Sequence, residues 1–405
     1  MGRSQLWGDC HTHSNYSDGL FEVPEQTPHY TSFGNDFRLQ TDHHIIAIPE
    51  GRPASKWLHA SDWPRYTADC AAATTPRHLC IPGVELGYQM DRERLKREGW
   101  FHTKLHPPAG APIPDESFYA NKSYVEAIAA CKHAGYRMIV AHIDQGAPLE
   151  RFSGAELHGL EVRFDIEDQR PLFERPNLKH WDRMLTAGHR IGFSSGSDGH
   201  QPDLWAGSAL RTVVLDAAHE PEAILDAVVA GRSYLSGTWH PDCYKALGWP
   251  GRPNPVDEGA SITHMIPWWE FKQHTLLKDR DPREIVAEVY EAALKDGRCR
   301  REDYPVLEAF EVGGRSCGGT VDGAEHRVEI AWRAHVPLKS LRLVADGRTV
   351  YELPRGEVPL GETAGRFEAR VDLRGRKYVR LELLAQDPGD AAKSEYLLGN
   401  PVYVE

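Results

Sequence analysis

The sequence has no uninterrupted apolar run that approaches the roughly 20 residues needed to cross a lipid bilayer. Cysteine is scarce, with seven in 405 residues, an odd number that includes no Cys-x-x-Cys pair. The chain also starts without a charged-then-apolar leader. These features predict reduced thiols, a cytoplasmic location and no association with a membrane.

Basic side chains are in deficit as well. Lysine and arginine number 47 against 59 aspartates and glutamates, which gives a formal net charge of -12. A nucleic acid is a polyanion and would not be attracted to this average field. We therefore expect a small-molecule substrate and no nucleic acid as the partner, and the sequence leaves the oligomeric state open.

The composition predicts a folded protein of more than one domain. Apolar residues make up 40% of the chain and charged residues 26%, which is typical of folded soluble proteins. A chain of 405 residues is too long for one ordinary core. We expect a large domain at residues 1–240, a proline- and tryptophan-rich and helical insert or cap at residues 241–303, and a small β domain at residues 304–405.

The first 240 residues alternate apolar strands with amphipathic helices, the pattern of an α/β fold. Residues 137–142, 159–164 and 190–198 predict buried strands, and residues 123–135 and 178–188 predict helices that end at a glycine. The predicted strands lead into polar residues of the kind that bind metals. Barrel enzymes place their chemistry at these carboxyl ends of the strands.

The C-terminal part has a different pattern. From residue 326 onward, four segments alternate apolar and polar residues and are separated by turns that contain glycine. Asp346 and Gly347 form the dipeptide that favours a two-residue hairpin turn. This part therefore predicts a small antiparallel β-sandwich.

The stretch GDCHTHSNYSDG near the start is the first of six motifs with metal-binding residue types. His11 and His13 are two positions apart, so on an extended strand both side chains project to the same side and can bind one ion. Asp18 follows in a turn. A His-x-His pair alone is weak evidence, because two surface histidines would look the same.

Further candidate ligands recur along the first 240 residues. Glu85 lies in an apolar run, where burying an unpaired carboxylate costs several kcal/mol, and a metal ion would balance its charge. The same combination of residue types at six separated positions predicts a metal centre. The other candidates are Asp42, His43, one of His102 and His106, His142, Asp198 and His200.

In this order, the motifs DCHTHSNYSDG, TDHH, PGVEL, AHID, GLEV and GSDGH resemble those of the PHP (polymerase and histidinol phosphatase) superfamily. The resemblance covers about residues 5–240. The segment HEPEAILDAVVAGRSYLSG, followed by a β domain that ends in GNPVYVE, is similar to the carbaryl-hydrolase (CehA/McbA) branch. The resemblance implies a distorted (β/α)7 TIM-like barrel that carries two or three divalent ions, Zn, Mn or Fe, at the carboxyl ends of its strands.

The resemblance also implies which residues share an ion. One ion would be held by His11, His13, Glu85 and Asp198, and another by Asp18, His43 and His200. Glu85 would bridge the ions. A third ion, or a shared one, would use His142 and the histidine of the FHTKLH stretch, most simply His102.

Such a centre implies hydrolysis by a hydroxide that bridges the ions, with a phosphoester or a carboxylic ester, carbamate or amide bond of a small organic molecule as the target. Asp144, Arg163 and Lys104 lie beside motif residues and are candidate catalytic residues that orient the substrate or neutralise an anion. Each could equally form an ordinary surface salt bridge. The alternative function is a non-catalytic, metal-binding scaffold or a ligand-binding protein, against which the full ligand set argues.

The sequence also bears on the kind of substrate. A phosphomonoester needs fixed cations beside the metals, and only Arg163 and Lys104 lie beside the candidate ligands. Several tryptophans in and before the insert could form an aromatic wall over the site or simply its own core. This pattern favours an aryl ester, a carbamate or a diester over a small phosphomonoester. These tryptophans are Trp239, Trp249, Trp268 and Trp269.

Overall fold

The computed structural model describes residues 4–44, 57–87, 102–119, 122–141, 152–162, 173, 176–200, 210–239, 300–354, 360–390 and 393–405. Within these ranges the chain is a mixed α/β structure with one large sheet, a smaller second sheet and few helices. No described helix has the length and hydrophobicity that a bilayer crossing requires. Most of the predicted insert, residues 241–299, lies outside the described ranges.

Within the described residues, the N-terminal region supplies nine strands of the large sheet. They are β1 (Gln5–Thr12), β2 (Phe37–His44), β3 (Leu79–Gly87), β4 (His102–His106), β5 (Arg137–Val140), β6 (Gly159–Glu161), β7 (Gly192–Ser194), β8 (Leu210–Leu215) and β9 (Ser233–Trp239). They lie side by side in the order β9-β8-β1-β2-β3-β4-β5-β6-β7. Strands β1 to β3 are parallel, β4 is antiparallel to both of its neighbours, and β5 to β7 are parallel again.

The described α-helices belong to the same region. They are α1 (Val23–Ser32), α2 (Trp63–Ala73), α3 (Glu116–Tyr119), α4 (Tyr124–His133), α5 (Pro176–Thr186) and α6 (Pro221–Val229). The predicted strands at 137–142, 159–164 and 190–198 form as the shorter β5, β6 and β7, and the two predicted helices form as α4 and α5. Gly135 and Gly188 follow these helices with φ of 88° and 92°, a left-handed conformation that glycine adopts without steric cost.

Strand β1 changes partners along its length. From Gln5 to Gly8 it pairs with β8. Further on, the N–H groups of Cys10 and His13 donate to the carbonyls of Ser195 and Gly199 at 3.3 and 2.9 Å. The segment after β7 therefore returns to β1, although the strand order of the described residues leaves the sheet open.

Nine further strands follow in the described ranges of the C-terminal part. They are β10 (Val306–Val312), β11 (Thr320–Val321), β12 (Glu325–Arg333), β13 (Leu338–Ala345), β14 (Arg348–Glu352), β15 (Ala364–Asp372), β16 (Tyr378–Gln386), β17 (Ser394–Gly399) and β18 (Val402–Val404). The predicted hairpin joins β13 to β14, and both of its turn residues have positive φ, 49° at Asp346 and 69° at Gly347. The four segments predicted to alternate from residue 326 onward all contain antiparallel strands.

The C-terminal strands are continuous with the large sheet. Strand β17 pairs with β9 from Ser394 opposite Trp239 to Gly399 opposite Tyr234. Strands β10, β12 and β15 form the second sheet. Apolar side chains of both sheets share one buried cluster, to which Trp7 of β1 also contributes.

A buried ion pair joins the C-terminal strands to helix α5. The guanidinium of Arg380 on β16 donates from Nε and Nη2 to the two carboxylate oxygens of Asp182, both at 2.9 Å. The hydroxyl of Tyr378 donates to the same carboxylate. Both partners of the ion pair are nearly inaccessible to solvent, with side chains 2% and 9% exposed.

Replacing Arg380→Ala should therefore lower the free energy of unfolding by about 3–5 kcal/mol, because Asp182 would be left as a buried charge without its cation. Urea denaturation followed by circular dichroism measures the change. Arg374→Ala is the matched control, since Arg374 makes a similar two-pronged contact with Asp372 on the exposed surface and should leave the midpoint unchanged. Equal effects of the two variants would contradict the prediction.

Candidate metal centre

A bulge in β1 aims the first two histidines of the candidate site. Asp9 lies opposite Arg38 of β2 but Thr12 lies opposite Gln40, so three steps along β1 match two steps along β2. The extra residue changes which side of the strand each following side chain faces. Cys10 packs in the apolar cluster inside the sheet, and His11, the next residue, also faces inward.

The first ligand group consists of His11, His13, Glu85 and Asp198, which are all buried. The Nε2 atom of His11 lies 3.2 Å from Oε1 of Glu85. The Nε2 atom of His13 lies 3.0 Å from Oδ1 of Asp198 and 3.1 Å from Nε2 of His11. One ligand atom from each of the four residues lies within 4.8 Å of the others.

Asp198 reaches this group from an unusual backbone conformation. Its φ is 53°, in the left-handed region that most non-glycine residues seldom adopt and that aspartate and asparagine adopt more readily. The neighbouring N–H of Ser197 donates to Oδ1 of Asp9 at 2.9 Å. The backbone after β7 is thus held in place by a second buried carboxylate.

The second ligand group consists of His13, Asp18, His43 and His200. Asp18 Oδ1 lies 3.1 Å from Nε2 of His200, and Asp18 Oδ2 lies 3.5 Å from Nε2 of His43. The rings of His13 and His200 stack with their centroids 4.0 Å apart. His13 therefore belongs to both groups and links them.

The third ligand group consists of His43, Glu85 and His102. Glu85 Oε1 lies 2.9 Å from Nδ1 of His102, and Glu85 Oε2 lies 3.0 Å from Nδ1 of His43. The structure thereby distinguishes the two histidines of the FHTKLH stretch. His106 packs its ring over Gly83, where a Cβ atom would lie 2.3 Å from Nδ1 of that ring, and burial lowers the pKa of His106 to about 3.

The donor set fits divalent cations. Three carboxylates and five imidazoles converge in the three groups, and imidazole with carboxylate is the ligand combination of Zn, Mn and Fe sites. The two oxygens of Glu85 together face four imidazole rings at 2.9–3.4 Å. One carboxylate can neutralise only one imidazolium, so it cannot balance four protonated rings. Divalent cations placed between these atoms would instead be coordinated by the neutral imidazole nitrogens and by the carboxylate oxygens together.

The pKa values of His11 and His13 shift in opposite directions, because the two rings face different neighbours. Burial alone would lower the pKa of His11, but the carboxylates of Glu85, Glu161 and Asp198 outweigh it and raise that pKa to about 10. The pKa of His13 falls to about 4, because burial and the neighbouring imidazoles both disfavour its charged form. The pocket thus favours positive charge at His11 and disfavours it at His13.

Asp42 lies outside all three groups of described residues, in contrast to its prediction as a ligand. Its Oδ1 accepts hydrogen bonds from the N–H of Ser14 at 2.7 Å and from the N–H and hydroxyl of Ser17 at 3.1 and 2.7 Å. Its Oδ2 accepts from the hydroxyl of Ser14 at 2.8 Å and from Nε2 of Gln40 at 3.0 Å. Asp42 therefore holds the turn that connects His13 to Asp18.

Lys104 also differs from its predicted role beside the substrate. Its side chain is fully buried, and Nζ donates to Oε2 of Glu161 and, at 2.8 Å, to the carbonyl of Cys10. Glu161 in turn faces Nδ1 of His11, at 3.1 and 3.2 Å from its two oxygens. Lys104 thus lies behind the ligands and does not reach the accessible side of the site.

Three predicted site residues lie outside the described residues, namely His142, Asp144 and Arg163. Of the tryptophans, Trp249, Trp268 and Trp269 do so as well, whereas Trp239 ends strand β9. The GLEV motif of the sequence contains Glu161, but sequence reasoning did not find the contact of this residue with His11. It also missed Asp9 on β1 and the two serines held by Asp42, because nothing in their local sequence pattern marks these residues as part of the site.

Comparisons with known proteins found weak structural similarity only. No family model and no curated protein matches the chain. A two-domain protein containing a predicted PHP-like metal-dependent phosphoesterase from Bacteroides vulgatus is 15% identical, with 99% of this chain and 95% of that one covered and a TM-score of 0.42.

Two smaller structures are also similar. A candidate metal-dependent phosphoesterase from Bifidobacterium adolescentis is 16% identical over 48% of this chain and 88% of its own, with a TM-score of 0.32. An amidohydrolase from Chromobacterium violaceum, with bound sulfate and no metal, is 17% identical over 48% and 87%, with a TM-score of 0.31. Similarities at this level do not assign the chain to a family.

Replacing Asp42→Ala should destabilise the protein by about 1–3 kcal/mol or more, because buried donors in the turn at residues 14–17 would lose their acceptor. Thermal unfolding measures the effect. Asp115→Ala is the matched control, since Asp115 accepts from Ser117 and Phe118 in an exposed turn, where water replaces the lost bonds. A smaller loss for Asp42→Ala than for Asp115→Ala would contradict this role.

Proposed function

We propose that this chain is a metal-dependent hydrolase of the PHP type. Residues 1–240 would form the distorted (β/α)7 barrel, residues 241–303 an insert or cap, and residues 304–405 a β-sandwich domain. The target would be a phosphoester or a carboxylic ester, carbamate or amide bond of a small organic molecule. The observation that carries the proposal is the convergence of three ligand groups on the buried carboxylate of Glu85.

Contacts across the sheet support the barrel. His11 on β1 contacts Glu161 on β6, and Lys104 on β4 contacts the carbonyl of Cys10 on β1. These strands are separated by several others in the sheet order. Side chains can meet across such a distance only if the sheet curls around its interior, as it does in a barrel.

Each ligand group would hold one ion or share one with its neighbour. A bound divalent cation lowers the pKa of water and stabilises negative charge that develops on an oxygen under attack, which is the chemistry of hydrolysis. His11, His13, Glu85 and Asp198 would supply one set of ligands, and Asp18, His43 and His200 a second. His102 would join His43 and Glu85 in a third set. Zn, Mn and Fe all suit these ligands.

The accessible side of the site indicates where a substrate enters. The side chains of Asp18 and His102 are 20% and 10% exposed, whereas those of His11 and Glu85 are at 0%. A substrate would therefore approach from the side of Asp18 and His102. His11 and Glu85 form the floor of the site.

The position of Lys104 bears on the kind of bond. A phosphomonoester carries two negative charges that fixed cations beside the metals usually neutralise. Lys104 is one of the two cations expected near the ligands, and its ammonium is engaged by Glu161 and Cys10. This arrangement favours an ester, a carbamate or a phosphodiester.

We expect the purified protein to bind two or three divalent ions per chain. Elemental analysis after growth in metal-replete medium, followed by titration of metal-depleted protein with Mn, Zn or Fe, measures the stoichiometry. Turnover should then be tested on nitrophenyl esters, carbamates, phosphodiesters and phosphomonoesters at equal concentration. Bound metal without turnover of any substrate would favour the non-catalytic scaffold, and less than one ion per chain would refute the metal centre.

Asp198→Asn should abolish turnover and weaken metal binding by more than the roughly 10–100-fold typical of an outer contact. Asparagine tolerates positive φ nearly as well as aspartate, so the change removes charge without altering the backbone. Asp216→Asn is the control, because Asp216 is exposed and has a φ of 51°. Wild-type turnover with metal retained in Asp198→Asn would show that Asp198 is not a ligand.

A further inference from the structure

The two nitrogens of the His11 ring face different surroundings. Nε2 points into the first ligand group, 3.2 Å from Glu85 and 3.5 Å from Asp198. Nδ1 faces away from it and lies 3.1 and 3.2 Å from the two oxygens of Glu161. A hydrogen bond from Nδ1 to a carboxylate fixes the ring orientation and leaves the lone pair of Nε2 for a metal.

Glu161 is itself held by a buried cation. The ammonium of Lys104 bonds to Oε2 of Glu161 and donates to the carbonyl of Cys10, the residue that precedes His11. All of these residues are fully buried. Lys104 thus contacts both the carboxylate behind His11 and the backbone that carries His11.

We propose that Glu161 and Lys104 form a buried brace that fixes the His11 ring, so that its Nε2 faces a divalent cation. The brace makes Lys104 a positioning residue for the metal site. This inference rests on the proposed function, because it presumes a cation among His11, His13, Glu85 and Asp198. It concerns residues behind the ligands and does not depend on the substrate.

The charges explain why both partners of the brace are needed. Glu85 and Asp198 already place two carboxylates in the first ligand group. An unpaired Glu161 would add a third buried negative charge and could turn toward the cation. The ammonium of Lys104 balances that charge and occupies one oxygen, so Glu161 stays behind the ring.

Stability alone gives a poor reason for this ion pair. Taking both charges out of water costs several kcal/mol each, and an apolar pair of similar volume is often as stable. A substrate-binding role is also disfavoured, because the side chain of Lys104 is fully buried and its ammonium has two partners. Positioning of His11 accounts for the burial, the contact with Cys10 and the contact with Glu161 together.

The test compares Glu161→Gln, Lys104→Met and the double variant with the wild type. Each protein is stripped of metal and titrated with Zn²⁺ alone in competition with a chromogenic chelator. The Co²⁺-loaded forms are then compared by visible absorption, which reports the ligand geometry without any substrate. Asp182→Asn is the matched control, because Asp182 belongs to the buried ion pair with Arg380 away from the ligand groups.

We expect Glu161→Gln and Lys104→Met each to weaken the tightest Zn²⁺ binding by about 10–100-fold and to alter the Co²⁺ spectrum. The double variant should lose less than the product of the two single effects, because both changes act through His11. Asp182→Asn should lower the unfolding midpoint but leave the Zn²⁺ affinity within about twofold of the wild type. This contrast separates positioning from general stability.

Three results would overturn the brace. Wild-type Zn²⁺ affinity and an unchanged Co²⁺ spectrum in both single variants would refute it while leaving the metal centre intact. A raised KM in Lys104→Met with normal metal binding would assign Lys104 to the substrate. A wild-type protein that binds no divalent cation would refute the proposed function and the brace together. If Glu161→Gln does not fold, Glu161→Asp keeps the charge but shortens the reach, and it should also weaken Zn²⁺ binding.

Discussion

The buried carboxylate of Glu85 is the constraint on which the rest of the site depends. It lies near the carboxyl end of strand β3, with four imidazoles around its two oxygens. A charged group in this position is costly to bury unless opposite charge stands close by. The strands on either side bring that charge and those ligands to one point. His43 comes from β2, and His102 comes from β4.

The alternation of side chains along strands decides which neighbouring residue serves the site. Asp42 and His43 are adjacent on β2 and so point to opposite sides. His43 faces the ligands, whereas Asp42 holds the turn between His13 and Asp18. Both residues have metal-binding chemistry, so the sequence motif alone could not separate them. The bulge in β1 was likewise not predictable from the sequence, because no residue pattern marks its position.

Residues on the same side of a strand have different neighbours, according to their position along the strand. His102, Lys104 and His106 alternate along β4 and all face the interior. His102 contacts Glu85, Lys104 contacts Glu161, and His106 packs over Gly83. Sequence reasoning left the choice between the two histidines open and named Lys104 as a candidate to orient the substrate. The spacing of residues shows which side of a strand they share but not which structure each of them contacts along the strand.

Structural features that depend on one or two neighbouring residues were the most predictable from the sequence. The glycines after α4 and α5 and the Asp346-Gly347 turn were predictable because their positive φ depends on one or two residues. The recurrence of ligand-type residues predicted a metal centre, and the first ligand group contains the four residues that the resemblance implied for one ion. The second group adds His13 to the implied set, and the implied third set included His142, which lies outside the described residues. The return of the segment after β7 to β1 was not predictable in this way, because it depends on contacts between distant strands.

Two of the buried ion pairs among the described residues differ in their geometry in an informative way. Arg380 meets Asp182 through two parallel bonds, which tie β16 to helix α5, and its third nitrogen donates to Glu382 on the same strand. Lys104 instead divides its bonds between Glu161 and the backbone of Cys10, and Glu161 passes the contact on to His11. Both pairs have further partners, but of the two only the pair of Lys104 and Glu161 contacts a residue of the ligand groups. The contacts from Lys104 through Glu161 to Nδ1 of His11 fix the orientation of that ring. They thereby set the direction of Nε2, the ring nitrogen that lies nearest Glu85.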